Sequence, residues 1–206
     1  MINNYENFET SNILKENIKI NTNGTNFLPY KFENKNGIFF QTPKSEIINI
    51  EKDNKKVLFT IKPLDNLEEF FNFNVKIDKF NLNLVNNLTQ HINYENYVSP
   101  RKLPDKIEDK YFLSYKANLD INNNLECKIY DDLKNEINNL ELIEPGSKVS
   151  FIIKLSGLLY NDYKILPYWS IEQIKLINFN NEVKFTECMI KDDSNFFTEI
   201  TPENFQ

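Results

Sequence analysis

Alternation of apolar and polar residues is strongest in the C-terminal half of the chain. Over residues 148–160, the side chains expected to face the interior are Val149, Phe151, Ile153 and Leu155. Such a period of two predicts a β-strand with one buried face. Gly157 inside this strand predicts a bulge or a barrel corner. Residues 144–147 predict a β-turn before it, and residues 168–176 predict a return strand after it.

Shorter strands are predicted in the N-terminal half of the chain, over residues 30–32, 37–42, 47–50 and 57–62. Residues 115–121 and 125–130, joined by an Asn-Asn-Asn turn, predict a β-hairpin. Between these two regions the period changes to that of a helix, first over 64–71 and then over 76–92. The apolar stripe of the second helix is Ile77, Phe80, Leu84 and Leu88.

Seven or eight short strands interrupted by helical residues favour a mainly β fold, an OB-fold-like Greek-key barrel with a helical insertion. A β-sandwich with a helical cap is the alternative. We expect a polar N-terminal extension over 1–26 and a domain over 27–190, with its helical insertion at about 63–98. Residues 191–206 have no period suited to packing and predict a flexible tail.

Composition limits where the protein works. The sequence has no apolar run near the ~20 residues of a membrane span and no signal-peptide pattern at its start. We therefore expect a soluble protein of a cytosol or nucleus, not secreted and not membrane-bound. Cys127 and Cys188 form no spaced motif and are expected to stay reduced. The 34 Asn, and 23 Lys against one Arg, indicate a gene from a very AT-rich genome.

Catalysis is disfavoured by the same composition. The single histidine, His91, lies in a polar stretch without a nucleophile or metal-ligand pattern. Four glycines provide neither a Walker-type loop nor a dinucleotide-binding turn. The pairs Asp131–Asp132 and Asp192–Asp193 are typical of solvated turns, although a metal-dependent nuclease is the remaining enzymatic alternative. We expect no enzyme, no cofactor and no metal.

Single-strand binding requires cations along the phosphates and aromatic faces on which bases stack. The candidate nucleic-acid-binding residues are Lys44, Arg101, Lys102, Lys148, Lys154, Tyr160, Tyr163, Lys164 and Trp169. The net charge of −6 means that any groove must be a local basic feature of an acidic protein. The alternative is that Trp169 belongs to the core and that the lysines are ordinary surface residues.

The C-terminal 16 residues carry four acids against one lysine, which is half of the chain's net charge. The acids and aromatics of this segment are Asp192, Asp193, Phe196, Phe197, Glu199, Glu203 and Phe205. Such a tail imitates the charge and stacking of a nucleic acid strand, so it can compete for a basic groove and then recruit partners. A tail that only promotes solubility is the alternative.

Two short blocks resemble a known family. Residues 37–43, an apolar strand ending in Gln-Thr-Pro, resemble the early block of the single-stranded DNA-binding proteins of nucleocytoplasmic large DNA viruses. Residues 145–157, followed by Tyr163-Lys164 and Trp169, resemble the late block of that family. These proteins are similar to the T7-phage type of single-strand binder, an OB-fold with an acidic tail ending near a Phe. Here Phe205 is penultimate, and Gln206 departs from that pattern.

The resemblance implies a non-catalytic protein that coats single-stranded DNA during viral DNA replication, recombination or repair. Its tail would reach polymerase- or helicase-like partners, and a homodimer is left open. The implied location is the host cytoplasm, in a viral factory, or the nucleus, with the virion as a further option. The rival hypothesis is a viral structural or scaffold protein that uses its β-barrel for protein–protein contacts.

Overall fold

The computed structural model describes residues 2–20, 24–88, 97–102, 112–137, 139–161 and 163–177. Within these ranges one α-helix, α1 (Leu67–Leu88), is inserted among twelve strands. The strands are β1 (Leu14–Lys15), β2 (Lys19–Ile20), β3 (Asn26–Phe32), β4 (Lys35–Asn36), β5 (Ile38–Gln41), β6 (Ser45–Asp53), β7 (Lys56–Pro63), β8 (Arg101–Lys102), β9 (Phe112–Asn118), β10 (Lys128–Tyr130), β11 (Lys148–Asn161) and β12 (Lys164–Leu176). The predicted mainly β class with a helical insertion is confirmed.

The strands enclose a barrel. Its hydrogen-bonded path runs β1-β3-β11-β6-β7-β9-β8, and β12 pairs with the other side of β11. Because β12 also lies alongside β9, the ring β6-β7-β9-β12-β11 returns on itself. A five-stranded, partly open Greek-key ring is the architecture of an OB-fold, so the predicted OB-fold-like barrel is confirmed.

Strand β11 organises the barrel because it pairs with β3, β5, β6 and β12. Its four predicted inward residues are all buried, as the alternation requires. Its register shifts at Gly157, where a Cβ atom would collide with the Leu28 carbonyl oxygen. The predicted bulge is therefore confirmed. So is the preceding turn, in which the Ser147 amide donates to the Glu144 carbonyl over 3.0 Å.

The helical insertion is one continuous helix, so the prediction of two separate segments was wrong. Between the two predicted segments, Phe73 and Asn74 continue the buried face of the helix. The many asparagines interrupt the apolar period, so the sequence pattern did not show this continuity. Glu68 and Glu69 in the first turn favour the start of the helix through its dipole. No helix in the described part of the chain is long and apolar enough to span a membrane.

The hairpin predicted from residues 115–121 and 125–130 was also wrong. The turn itself forms, and the Asp120 carboxylate accepts the amides of Asn122 and Asn124 over 2.8 Å. Beyond one bridge between Leu119 and Leu125, however, the chain leaves β9. Strand β10 instead pairs in parallel with β12, which places Ile129 in the core beside Ile174. The turn residues favour a hairpin, but burial of Ile129 against β12 determines where β10 pairs.

The described residues before 27 pack with the domain rather than extending from it. Phe8 and Ile13 are buried, and the Phe8 ring lies 4.9 Å from the Phe40 ring. Strands β1 and β2 pair with β3. The segment expected to be an N-terminal extension therefore contributes to the core. The predicted boundary at residue 190 lies outside the described residues.

Candidate nucleic-acid interface

The barrel has a seam where β9 and β12 lie side by side without being paired strands. Residues 97–101, which we call the strap, occupy one end of this seam. The Val98 amide donates to the Ile165 carbonyl of β12 over 2.9 Å. On the other side, the Ser114 amide of β9 donates to the Pro100 carbonyl over 2.8 Å. The strap thus joins the two strands through backbone hydrogen bonds.

The carboxylate of Asp78 on α1 holds the strap in place. Its Oδ1 accepts from the Tyr97 hydroxyl over 2.7 Å. Its Oδ2 accepts from the Ser99 hydroxyl over 2.6 Å and from Arg101 Nε over 2.7 Å. Asp78 is only 3% exposed, and a buried charge is tolerated only when it is paired and hydrogen-bonded. The helix and the strap are therefore energetically coupled.

Two asparagines of the same helix stripe extend this polar network into the barrel. Asn81 donates to the Tyr97 hydroxyl over 3.0 Å and accepts from the Tyr30 hydroxyl over 2.7 Å. Asn74 accepts from the Tyr115 hydroxyl of β9 over 2.9 Å. Burial raises the pKa of all three tyrosines, which keeps them protonated and able to donate. These bonds fix the helix across the barrel.

Beyond the strap, the seam opens into a cleft of about 640 Å³. Four cations line it, one each from β7, the strap, β9 and β12: Lys56, Arg101, Lys116 and Lys164. None of the described residues that line it is acidic. A concave surface lined by charges of one sign attracts anions and raises their local concentration. This cleft is therefore a local basic feature of a protein whose net charge is −6.

The strand register brings two of these lysines together. Leu58 is paired with Lys116 and Lys56 with Asn118, so both lysines lie on the face turned away from the core. Burial, and then the charge of Lys56, lower the pKa of Lys116 to about 8. Lys116 Nζ also lies 3.9 Å from the centre of the Tyr168 ring, a contact that favours the charged form. An anion in the cleft would relieve the repulsion between the two lysines.

Aromatic rings adjoin the cations. Tyr168 is half-buried, and its ring meets the Phe27 ring edge-on at 6.1 Å. Tyr163 follows β11 in the turn before Lys164 and is 82% exposed. These side chains offer the surfaces on which nucleobases can stack beside bound phosphates.

The predicted cations divide into separate groups. Arg101 and Lys164 line the cleft. Lys148 and Lys154 lie on the outward face of β11, away from the seam. Lys44 lies between β5 and β6 and does not line the cleft. The Lys102 backbone pairs with β9.

The expectation that Tyr160 and Trp169 stack bases conflicts with their burial, because they are only 5% and 3% exposed. Tyr160 lies on the inward face of β11, and burial raises its pKa. The Trp169 ring packs against Tyr115, Phe40 and Phe73 at centroid distances of 5.8, 6.1 and 6.5 Å. The alternative that Trp169 is a core residue is the one the structure supports.

Sequence reasoning missed Lys56 and Lys116. Each occupies the polar phase of an alternating strand, where a lysine ordinarily faces solvent and carries no signal. The informative feature was that two adjacent strands both place a lysine in that phase. To recognise this feature one must know that β7 pairs with β9, and the helical insertion separates these two strands in the sequence.

Asp131 and Cys127 do not line the cleft. Asp131 accepts the backbone and side-chain amides of Asn135, and the side-chain bond leads in lowering its pKa, so it belongs to a turn. Cys127 is buried, and burial raises its pKa to about 12. His91, Cys188 and the acids and aromatics of the C-terminal tail lie outside the described residues.

Comparison with known proteins finds similarity at the level of structure. No family model matches the chain, and no curated protein matches it. Among solved structures the chain is similar to gp2.5, a single-stranded DNA-binding protein encoded by bacteriophage T7, with 12% identity and a TM-score of 0.47. The match covers 74% of this chain and 97% of that chain.

Removal of the Asp78 carboxylate is expected to release the strap. Asp78→Ala should lower the free energy of unfolding by about 3 kcal/mol, because Arg101 loses its buried counter-charge and two hydroxyls lose an acceptor. Denaturant unfolding measures this loss. The Val98 amide donates to β12 and the Ser114 amide donates to the strap. Faster hydrogen exchange at these two amides would show that the loss of stability lies in the seam.

Glu68→Ala is the matched control, since it removes an exposed acid from the same helix. Its cost should stay within about 1 kcal/mol, the range of a helix-dipole contribution. An equal loss of stability in Asp78→Ala and Glu68→Ala would show that Asp78 does not hold the strap.

Proposed function

We propose that this protein binds single-stranded DNA, with little sequence preference, through the cleft in the barrel seam. The observation that carries the proposal is the convergence of three lysines and Arg101 on a cleft with no acid among its described lining residues. Because the buried Asp78 pairs with Arg101, the lysines supply the positive charge of the cleft. The chain as a whole has a net charge of −6, so this concentration of positive charge is local. Nucleic acid affinity depends mainly on such contacts to phosphates.

Several features favour binding of a single strand rather than a duplex, and binding that does not depend on the base sequence. Stacking on Tyr168 or Tyr163 needs unpaired bases, and contributes about 1–3 kcal/mol per base in single-strand binders. Three of the four cations are lysines, which act as point charges without the bidentate geometry that reads a guanine. Arg101, the exception, already uses its Nε on Asp78.

The biological role we propose is non-catalytic coating of single strands in viral DNA replication, recombination or repair. It is supported by the resemblance of two blocks to single-strand binders of large DNA viruses: residues 37–43, and residues 145–157 with Tyr163-Lys164 and Trp169. The corresponding location is the host cytoplasm or nucleus. We further propose that the acidic tail over 191–206 competes with DNA for the cleft and recruits replication proteins such as a polymerase or helicase.

Fluorescence anisotropy of a labelled oligo-dT, compared with a duplex of equal length over a salt series, tests the proposed function. We expect tight binding of the single strand only, weakening steeply with salt. Lys164→Ala should weaken binding and reduce the slope of log K against log salt by about 0.7, the value of one single-strand phosphate contact.

Lys79→Ala is the matched control, because Lys79 is an exposed lysine of α1 that does not line the cleft. It should leave both affinity and slope unchanged. Absence of single-strand binding by the wild-type protein at low salt would overturn the proposed function.

The pKa of Lys116 predicts a pH dependence of binding. The charged groups that share the cleft are Lys56, Lys164 and Arg101, and the Tyr97 hydroxyl is kept protonated by its raised pKa. A phosphate beside Lys116 raises its pKa from about 8, so the complex binds more protons than the free protein. Affinity should therefore fall between pH 7 and pH 9, by at most about tenfold.

Lys116→Arg separates this effect from other titrations, since an arginine stays protonated throughout that range. Its affinity should be nearly independent of pH. Proton uptake on binding at pH 8, measured by calorimetry in buffers of different ionisation enthalpy, should disappear in the same variant. The same fall in affinity in both proteins would exclude Lys116 as its cause.

A chain that ends at Ile190 tests the proposed role of the tail. Removing 16 residues with a net charge of −3 should tighten single-strand binding at low salt, because a competitor for the cleft is lost. A peptide of residues 191–206 added in trans should weaken binding again. Equal affinities of the two chains at low salt would contradict the competition.

A further inference from the structure

The outward face of β11 carries a second series of candidate contacts, separate from the cleft. Lys148, Ile152 and Lys154 lie on this face, whereas the hydroxyl of Ser150 between them is buried and donates to the Thr42 carbonyl. The ladder with β12 places Lys154 opposite Ser170, whereas the cleft residue Lys164 lies opposite Asn161. Seven residues of strand, or ~23 Å, separate these two positions along β11. Lys154 therefore cannot contact the phosphate bound by Lys164.

Lys154 forms a defined pair with an aromatic ring. Phe39 of β5 lies opposite it in the ladder, and Lys154 Nζ is 5.4 Å from the ring centre. Gly37 makes room for this arrangement, because a Cβ there would lie 2.7 Å from Lys154 Cε. Gly37 also has a φ of +83°, a conformation that glycine adopts without strain. Lys154 and Phe39 thus form a pair of a cation and an aromatic ring, like Lys116 and Tyr168 beside the cleft.

A concavity of about 410 Å³ continues from this pair along the same face. It is lined by apolar, amide and cationic side chains, including Ile152, Gln41, Gln173, Lys134 and Lys175. Amides can donate to and accept from any nucleobase edge. The surrounding charge is mixed: Asp132 lies 3.8 Å from Lys175, and Glu46 lies opposite Lys148. This region is therefore expected to bind more weakly than the cleft.

The aromatic rings of Tyr168 and Phe27 lie between the two regions. Tyr168 is opposite Gly157 and Phe27 is opposite Leu159, both on the course of β11 from the cleft to Lys154. Their edge-on contact links the seam to the outward face of β11. A strand leaving the cleft thus meets aromatic surface before it reaches Lys154.

We propose that the outward face of β5 and β11 is a second single-strand subsite, formed by Phe39, Lys154 and the adjoining concavity. The strand runs from the cleft past Tyr168 and Phe27 to this subsite. The proposal rests on the proposed function, since the same strand occupies both places. Because the two are ~23 Å apart, only an oligonucleotide of several nucleotides can occupy them together.

The test measures affinities for two lengths of oligo-dT, about 4 and about 16 nucleotides, which bracket the site sizes of OB-folds. Each Kd is obtained by competition against the labelled longer strand. Lys154→Ala should weaken the longer oligonucleotide about three- to tenfold and leave the shorter one within twofold. Phe39→Leu should give the same selective loss while keeping an apolar side chain. Lys164→Ala should weaken both lengths.

Lys79→Ala again serves as the charge-matched control, and thermal unfolding confirms that each variant is folded. Unchanged binding of the longer strand by Lys154→Ala and Phe39→Leu, or an equal loss for both lengths, would overturn the second subsite. In that case a loss of affinity for both lengths in Lys164→Ala would still support the cleft. If Lys164→Ala changed neither affinity, the proposed function of the cleft itself would fail.

Discussion

The buried carboxylate of Asp78 is the interaction on which the geometry of the seam depends. Three donors from the strap converge on it, and each comes from a different residue of a five-residue segment. An unpaired charge at this depth would be strongly unfavourable, so the helix, the strap and the adjoining ends of β9 and β12 must be positioned together. A polar residue on the inner stripe of α1 thereby determines the shape of a surface formed by distant strands.

This arrangement explains why the seam is neither closed nor collapsed. At one end the strap replaces the missing ladder between β9 and β12 with its own backbone hydrogen bonds. At the other end the two strands meet through side chains, with Tyr115 against Trp169 in the core and Lys116 over Tyr168 outside. On the β9 side of the seam, the charge of Lys56 on the neighbouring strand β7 disfavours the charged form of Lys116. The cleft is thus held open from both ends.

The sequence allowed prediction of the features that depend on near neighbours. Alternation identified β11 and its buried face, and Gly157 and the turn at 144–147 were read correctly because their constraints are local. The continuous helix was missed because its inner stripe contains Asn74, Asp78 and Asn81, whose partners come from distant segments. The parallel position of β10 likewise depends on pairing with residues more than forty positions later.

The candidate site was harder to predict for a related reason. Lysines in the polar phase of a strand look alike until the sheet order is known, so Lys164 could be named while Lys56 and Lys116 could not. The aromatic residues divide by strand face: Tyr160 and Trp169 point inward, whereas Tyr168 points outward. The register shift at Gly157 changes which residues of β11 face inward, from odd-numbered positions before it to even-numbered positions after it. An exposed ring could therefore not be distinguished from a buried one by composition.

The central position of β11 has a consequence for biosynthesis. Strands β3, β5 and β6 leave the ribosome roughly a hundred residues before the strand that they pair with, a delay of about 5–20 s at ordinary elongation rates. During this interval the edges of these strands that will pair with β11 have no native partner. The nascent chain consequently depends on its charged and asparagine-rich surface, or on a chaperone, to avoid aggregation until the last third of the protein has been made.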